Sequence, residues 1–292
     1  MAGSVCISRL IPSFSVGGKS RRALHTAISH PVVPAEVVMG CVAYCPEITA
    51  IWDGMKNYFL SSGVKFDYVL FTTYEAQVEA LIRGHIDIAW NGPLAHVRLQ
   101  NRTNNSSISL GMRDVDRECV SHVLARADSE IKSISDLKGR KLAVGSCDSP
   151  QSYILPLLHL KDKGVPFDTL SVVRFDRDLG KHGDTAVGET EVLRALERGD
   201  AEAGFVSELM WSRAVNAGDV NTDAKNRLVV LPEGPPKFDH CQFDTLPSVS
   251  ESKRAAFTKV RIFLGVRRSH CENSAASRLC LRWTGMCLSR GA

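Results

Sequence analysis

The octapeptide Gly145-Ser146-Cys147-Asp148-Ser149-Pro150-Gln151-Ser152 joins a short apolar run to the start of a helix pattern. At such a junction the first helical N–H groups lack carbonyl partners, and the peptide dipoles favour negative charge. Ser149 and Ser152 add hydroxyl donors, and Gln151 lies between them. Thr72, Thr73 and Tyr74 make the same kind of junction before an earlier helix pattern. Alone, Ser149 and Thr73 would simply cap their own helices. Two such caps facing each other at strand tips point instead to a site for a small anion. Other polar or aromatic residues also follow apolar runs: Tyr44; Trp90 and Asn91; His182 and Asp184; Ser207 and Glu208. A second chemistry is open on the same residues. His182 beside Asp184 has the makings of an acid/base pair, and Cys147 near a helix start those of a nucleophile. The plainer readings are a ligand-bonding or solvated histidine and an inert thiol.

The elements that carry these residues follow from apolar spacing. Strands are expected over 37–43, 66–71 and 86–90, with helices over 48–61 and 74–83. Gly63 and Gly84 stop the two helices, and Asn91-Gly92-Pro93 breaks the third strand before another helix. A second set gives strands over 121–127, 141–145, 171–175 and 202–206, with helices over 150–163, 187–198 and from 209. Alternation of strand and helix implies parallel β-α-β units. Glu79-Ala80-Leu81-Ile82-Arg83-Gly84 is matched by Arg194-Ala195-Leu196-Glu197-Arg198-Gly199. Asp87-Ile88-Ala89-Trp90 is matched in turn by Glu202-Ala203-Gly204-Phe205. The expectation is two similar α/β lobes of mostly parallel sheets, with helices on both faces and every strand ending on a shared cleft. The first lobe would span 37–118 and the second 119–210, with 211–259 returning to the first.

The chain of 292 residues carries net charge +4, but the basic excess sits at its ends. Residues 1–35 contain four basic residues and no acid, and residues 260–292 contain six arginines and one glutamate. The body between them is net acidic, which argues against a nucleic-acid face. No apolar run is long enough for a transmembrane helix, so no membrane insertion is expected. Nine cysteines at irregular spacing predict free thiols, with neither metal nor cofactor. The leader 1–36 fits a mitochondrial-type transit peptide, a plain disordered leader or a wrong start site. It lacks an unbroken apolar secretory stretch, so the expected location is inside the cell, mitochondrial if the leader is a transit peptide. After Lys259 neither helical nor strand periodicity holds. Lys259-Val260-Arg261 can be encoded by an exon–intron junction, and Arg282 to Cys287 read in a shifted frame can give Met-Asp-Gly-Tyr-Val. Residues 260–292 are accordingly expected to be an aberrant, disordered tail.

Four stretches carry a resemblance. They are Tyr68-Val69-Leu70-Phe71-Thr72-Thr73-Tyr74-Glu75-Ala76-Gln77-Val78-Glu79-Ala80-Leu81, Ile86-Asp87-Ile88-Ala89-Trp90-Asn91-Gly92-Pro93-Leu94-Ala95, Ile134-Ser135-Asp136-Leu137-Lys138-Gly139-Arg140-Lys141-Leu142-Ala143-Val144-Gly145, and His182-Gly183-Asp184-Thr185. Over about 37–259 the chain resembles the phosphate/phosphite/phosphonate-binding solute receptors of ABC transporters, which have the type II periplasmic-binding fold. The Asp-Leu-Lys-Gly-Arg-Lys run is common to many type II binding proteins and marks fold more than ligand. The resemblance implies an oxyanion at the second-lobe helix start, where Ser149-Pro150-Gln151-Ser152 stands for the family's hydroxyl-rich run. It also implies Tyr44 and His182 as aromatic and histidine ligands. In bacterial relatives the partner is a transporter permease, a partner not expected for an intracellular, eukaryotic-type copy. The alternative on the same fold is an enzyme resembling the pyrimidine-precursor synthases of thiamine biosynthesis, whose cysteine-rich motif this chain lacks. Sequencing of mature transcripts tests the tail: an intron at codons 259–260 is expected, and an uninterrupted junction would exclude it.

Overall fold

The structure, a computed structural model, describes residues 36–220 and 227–260, together with the backbone of a two-residue strand, Met286–Cys287. The expected leader up to residue 35 and the rest of the expected tail lie outside the described residues.

Three apolar runs of the first half become parallel strands: β1 (Val37–Val42), β2 (Phe66–Phe71) and β3 (Ile88–Asn91). The helices α1 (Ile48–Ser61) and α2 (Tyr74–Ile82) connect them, and α3 (Pro93–Arg102) follows. The second half repeats the plan with β6 (Lys141–Val144), β7 (Ser171–Arg174) and β8 (Ala203–Ser207), joined by α4 (Leu155–Asp162) and α5 (Val187–Arg198). A π-helical turn, Pro150–Ile154, precedes α4, so the expected helix 150–163 starts with wider hydrogen bonding. Gly84 and Gly199, the paired stops of the sequence repeat, both adopt left-handed φ, at 72° and 76°.

Each parallel trio is extended by antiparallel strands. The first sheet runs β11-β4-β10-β3-β1-β2, with β4 (Ile108–Arg113), β10 (Gln242–Thr245) and β11 (Met286–Cys287). The second runs β7-β6-β8-β5-β9, with β5 (Ser121–Arg126) and β9 (Leu228–Val230). Setting β11 aside, the two orders are the same, strand for strand, as the sequence repeat implies. The antiparallel strands have a geometric cause. The parallel strands all run toward the rim where their carboxyl ends lie. A chain arriving from the other sheet enters at that rim and must run away from it, as β5 and β10 do. The expectation that every strand ends at the rim therefore fails for β5, which begins there. The expected return to the first lobe at 211 is also corrected. α6 (Glu208–Ala217) packs Ala214 against the second sheet, and β9 pairs with β5; the chain joins the first sheet again only at β10.

Helices cover both faces of each sheet. On the first, Trp52, Met55 and Phe59 of α1 pack on one face, joined by Phe257 of α7 (Glu251–Lys259). Tyr74, Val78 and Leu81 of α2 and Leu99 of α3 fill the other. Phe257 stacks on Phe59 with centroids 5.1 Å apart, and Lys253 Nζ donates to both carboxylate oxygens of Asp87 at 2.8 Å. On the second sheet, Leu160 of α4 lies in one cluster and Val192 and Leu196 of α5 in the other. Among the described residues no helix is long and apolar enough to cross a membrane. The two crossing segments pair with each other: Cys119 N donates to Phe238 O at 2.7 Å and Phe238 N to Cys119 O at 3.0 Å.

Gly204, in the middle of β8, has no room for a side chain: a Cβ would lie 2.7 Å from the Ala143 carbonyl oxygen and 2.7 Å from Val192 Cγ1. Gly54, within α1, has open space. Gly204→Ala is expected to destabilise by about 1 to 3 kcal/mol through overpacking. Gly54→Ala is expected to stabilise by roughly 0.5 to 1 kcal/mol through helix propensity. Urea titration of both variants checks the contrast.

Candidate functional site

The rims of the two sheets meet along a seam. The loop 176–186 of the second half supplies one side. Asp178, Gly180, His182, Gly183 and Ala186 all have positive φ, so the loop turns sharply several times. Gly180 is required where it stands: a Cβ would come within 2.6 Å of Thr73 Cγ2, and its carbonyl accepts from Tyr74 N at 2.8 Å. Tyr74 is buried, and its hydroxyl donates to Asp184 Oδ2 at 2.5 Å. The Tyr74 ring stacks on the His182 imidazole, with centroids 4.7 Å apart and planes 17° from parallel. His182 is 1 % exposed. Its Nε2 lies 3.1 Å from Glu75 Oε1 and 3.3 Å from Arg98 Nη1.

The second sheet presents a row of serines to the same rim. Ser121 opens β5 opposite Ser207, which ends β8. Ser146 lies just past the end of β6 and is 2 % exposed. Behind them Ser149 caps the turn at Pro150, accepting from Ser152 N at 3.2 Å and from Ser152 Oγ at 2.8 Å. Buried polar atoms are nearly always paired within a folded protein. Here Ser121 Oγ, Ser146 Oγ, Gln151 Oε1, Asp148 Oδ1 and His182 Nδ1 are buried with no hydrogen-bond partner among the described residues.

The crossing segments close one end of the seam. Arg113 forks onto Asp116, with Nη2 donating to Oδ1 at 2.7 Å and Nε to the other oxygen, and its guanidinium sits 5.0 Å from the Trp90 ring centroid. His240 Nε2 lies 3.5 Å from Asp184 Oδ1. Tyr44 is within electrostatic reach of Cys241, Arg113 and Asp184, and burial raises its pKa. Burial likewise raises the carboxyl pKa of Asp184 and of Glu189, which accepts from Ser207 N at 2.5 Å and Ser207 Oγ at 2.7 Å. Asp116, His240 and Cys241 offer metal-ligating atoms within 4.8 Å of one another. The Arg113 fork on Asp116 sets a fixed positive charge against a cation there.

Of the residues expected at the site, Tyr44, Thr73, Tyr74, Ser149, Gln151, Ser152, His182 and Asp184 come together at or beside the seam. Others do not. Thr72 is exposed. Trp90 is 2 % exposed and packs on Phe243 in the core of the first sheet. Asn91 is fully buried, accepting from Gln77 Nε2 at 2.8 Å and donating to Asp244 Oδ2 at 2.9 Å. Ser207 reaches the rim, but its hydroxyl is held by Glu189. Glu208 turns outward, half exposed, to His122 and Ser212. It is the first residue of α6, past the rim. Cys147 is no activated thiol: burial, then Asp176, raises its pKa. The residues that sequence spacing missed, among them Glu75, Arg98, Arg113, Asp116, Glu189 and His240, come largely from the crossing segments and the outer helices. The only signal for them was charge placed next to an expected strand or helix end.

Burial lowers the His182 pKa to about 4, against about 6.5 in an unfolded chain. Between those values the unfolded chain binds more protons, so this residue's contribution to stability is lost as pH falls through that window. Asp184 and Glu189 act oppositely: their raised pKa values make the native state hold the extra proton, and acidification adds stability. Comparison with His182→Gln isolates the histidine. From about pH 7 to about pH 4 the wild type is expected to lose up to about 3 kcal/mol relative to the variant in urea titrations; parallel curves would refute the shift.

The family model described as ABC transporter, phosphonate, periplasmic substrate-binding protein matches residues 46–263. A probable ABC-transporter phosphite-binding protein, PhnD1 of Prochlorococcus marinus, is 24 % identical over 225 residues, covering 73 % of each chain. The phosphate-import protein PhnD of Mycolicibacterium smegmatis is 27 % identical over 164 residues, 54 % of this chain and 50 % of that one. The structure of PhnD1 in complex with methylphosphonate superposes with a TM-score of 0.60 at 17 % identity, covering 88 % of this chain and 93 % of that one. The periplasmic aliphatic sulphonate-binding protein SsuA of Escherichia coli gives 0.54 at 18 % identity, covering 78 % and 70 %. These likenesses agree with a type II periplasmic-binding fold, and the chain belongs to the family of periplasmic substrate-binding proteins of phosphonate ABC transporters.

Proposed function

We propose that this chain binds a small tetrahedral oxyanion of the phosphonate, phosphite or phosphate type in the seam between its two sheets, as a solute-binding module. The observation that carries this reading is the group of buried polar atoms without partners among the described residues: Ser121 Oγ, Ser146 Oγ, Gln151 Oε1 and His182 Nδ1. Leaving such groups unpaired costs about 1 to 3 kcal/mol each, and an oxyanion accepting from the two serine hydroxyls would recover that cost. Tyr44 and Tyr74 would wall the site, and Ser149 and Ser152 would hold the turn that faces it. Neither acid/base nor nucleophilic chemistry has comparable support. His182 and Asp184 are each bonded to residues of the first sheet's helices instead of to one another, and the Cys147 thiol is pushed away from the thiolate. A transporter permease is the partner that family membership implies for such a module.

Calorimetric titration and thermal shift of the full chain with methylphosphonate, phosphite, phosphate and sulfate test the reading. A bound oxyanion at 100 times its Kd should add about 2.7 kcal/mol of apparent stability. Ser146→Ala and Ser121→Ala should each weaken binding by about 1.5 to 3 kcal/mol, the worth of a hydrogen bond to a charged group. The ligand-free variants should be at least as stable as the parent, because deleting an unpaired buried hydroxyl removes its desolvation cost. Absence of any oxyanion-induced shift, or wild-type affinity in both variants, would rule the proposal out.

A further inference from the structure

We infer that Glu75 and Arg98, on helices outside the seam, are positioning residues for His182: they hold its Nε2–H outward and leave Nδ1 as an acceptor, so that the site takes an oxyanion carrying a P–OH group. The inference rests on the oxyanion reading above and names the protonation form of its ligand.

The ring has two nitrogens with different surroundings. Nε2 lies 3.1 Å from Glu75 Oε1. A carboxylate only accepts, so this contact puts the imidazole proton on Nε2. Arg98 Nη1 is 3.3 Å from the same nitrogen and in closer contact with Glu75 Oε1. A guanidinium only donates, and its Nη1 could also serve an unprotonated Nε2; the tautomer rests on the shorter Glu75 contact, with Arg98 paired to that carboxylate. Nδ1 is then a bare lone pair, buried and without a donor among the described residues. The ring cannot swing to exchange its nitrogens easily. One face is stacked on Tyr74, and the residue is 1 % exposed.

The charged and titratable groups facing the imidazole come from every neighbouring element. Tyr74 and Glu75 lie on α2, Arg98 on α3, Asp148 in the turn after β6, and Asp184 in the loop of His182 itself. Asp148 and Asp184 thus bring carboxyls to the surroundings of the imidazole, beside the Nδ1 lone pair. A doubly charged oxyanion would meet a lone pair there, with the carboxyls of Asp148 and Asp184 close by. A singly charged one offers its P–O–H hydrogen to Nδ1 and its remaining oxygens to the serine hydroxyls. Affinity should therefore fall as pH rises through the second ionisation of the ligand, which is about 6 for a phosphate monoester.

Nitrogen NMR of histidine-labelled full-length protein, with the His182 signals assigned through His182→Gln, reads the tautomer directly. Titration with phosphite at about pH 6 and about pH 8.5, spanning the ligand's second ionisation, reads the consequence. The expected result is an Nε2–H ring and an affinity at least roughly tenfold lower at the higher pH. Glu75→Ala should release the proton to Nδ1 and flatten the pH profile, and Glu75→Gln, which keeps an accepting oxygen, should restore both. An Nδ1–H ring in the wild type, or a wild-type pH profile in Glu75→Ala, overturns the inference while leaving oxyanion binding intact. A wild-type protein that binds no oxyanion overturns the functional reading, and the ligand assignment falls with it.

Discussion

A chain that passes twice between two sheets must leave and enter each at the rim they share. That constraint fixes the direction of every strand here. β4 and β9 run toward the rim to exit, and β5 and β10 run away from it on entry. The three parallel strands of each sheet already point their carboxyl ends at the same rim. Helix starts, strand tips and both crossings are thus gathered in one place, and the Cys119–Phe238 pairing ties the crossings to each other. The polar residues meet there because the path of the chain leaves them nowhere else to be. Residues remote in sequence, such as Tyr74 and Asp184, become hydrogen-bonded neighbours.

The parallel strands and most helices were legible because each is an apolar run closed by a glycine or a polar cluster. α1, β2 and α5 match the expected spans residue for residue. Of the antiparallel strands, β5 was legible, within the expected run 121–127, but β4, β9 and β10 were not. β10 reads Gln242-Phe243-Asp244-Thr245, and an acid and a threonine look like loop chemistry. In the fold both are fully buried. Asp244 takes a hydrogen bond from Asn91 and lies 3.1 Å from His96 Nδ1, and Thr245 donates to the Asp87 carbonyl at 2.7 Å. A buried polar strand is stable only when partners of that kind are supplied from elsewhere, and no local pattern reveals them.

The site divides in the same way. Residues on the βα turns were found because polar side chains following an apolar run must sit at a strand tip. Which way each side chain turns was beyond the pattern. Trp90 and Asn91 point to opposite faces at the end of β3, and both are buried because helices cover each face. Gln77, supplied by α2, bonds Asn91 and the Trp90 carbonyl and so makes that arrangement tolerable. Glu208 fails for the opposite reason. As the first residue of α6 it belongs to the helix surface, where His122 and Ser212 take it up.

The electrostatics of the seam bear on how an acid-rich place can hold an anion at all. Asp148, Asp184 and Glu189 lie in or under it, while the buried guanidinium of Arg113 is already committed to Asp116. Attraction between full charges cannot supply the affinity. What remains are neutral donors, the serine hydroxyls and the N–H groups at the turn before α4, backed by the buried carboxyls of Asp184 and Glu189, whose environment disfavours their ionised form. Such a site has little to offer a highly charged ligand, whose desolvation cost grows steeply with its charge. It suits a weakly charged oxyanion with a hydrogen of its own to give, because that hydrogen satisfies an acceptor the protein has left bare. Geometry and hydrogen-bond polarity, more than net charge, then decide which small anion the fold can retain.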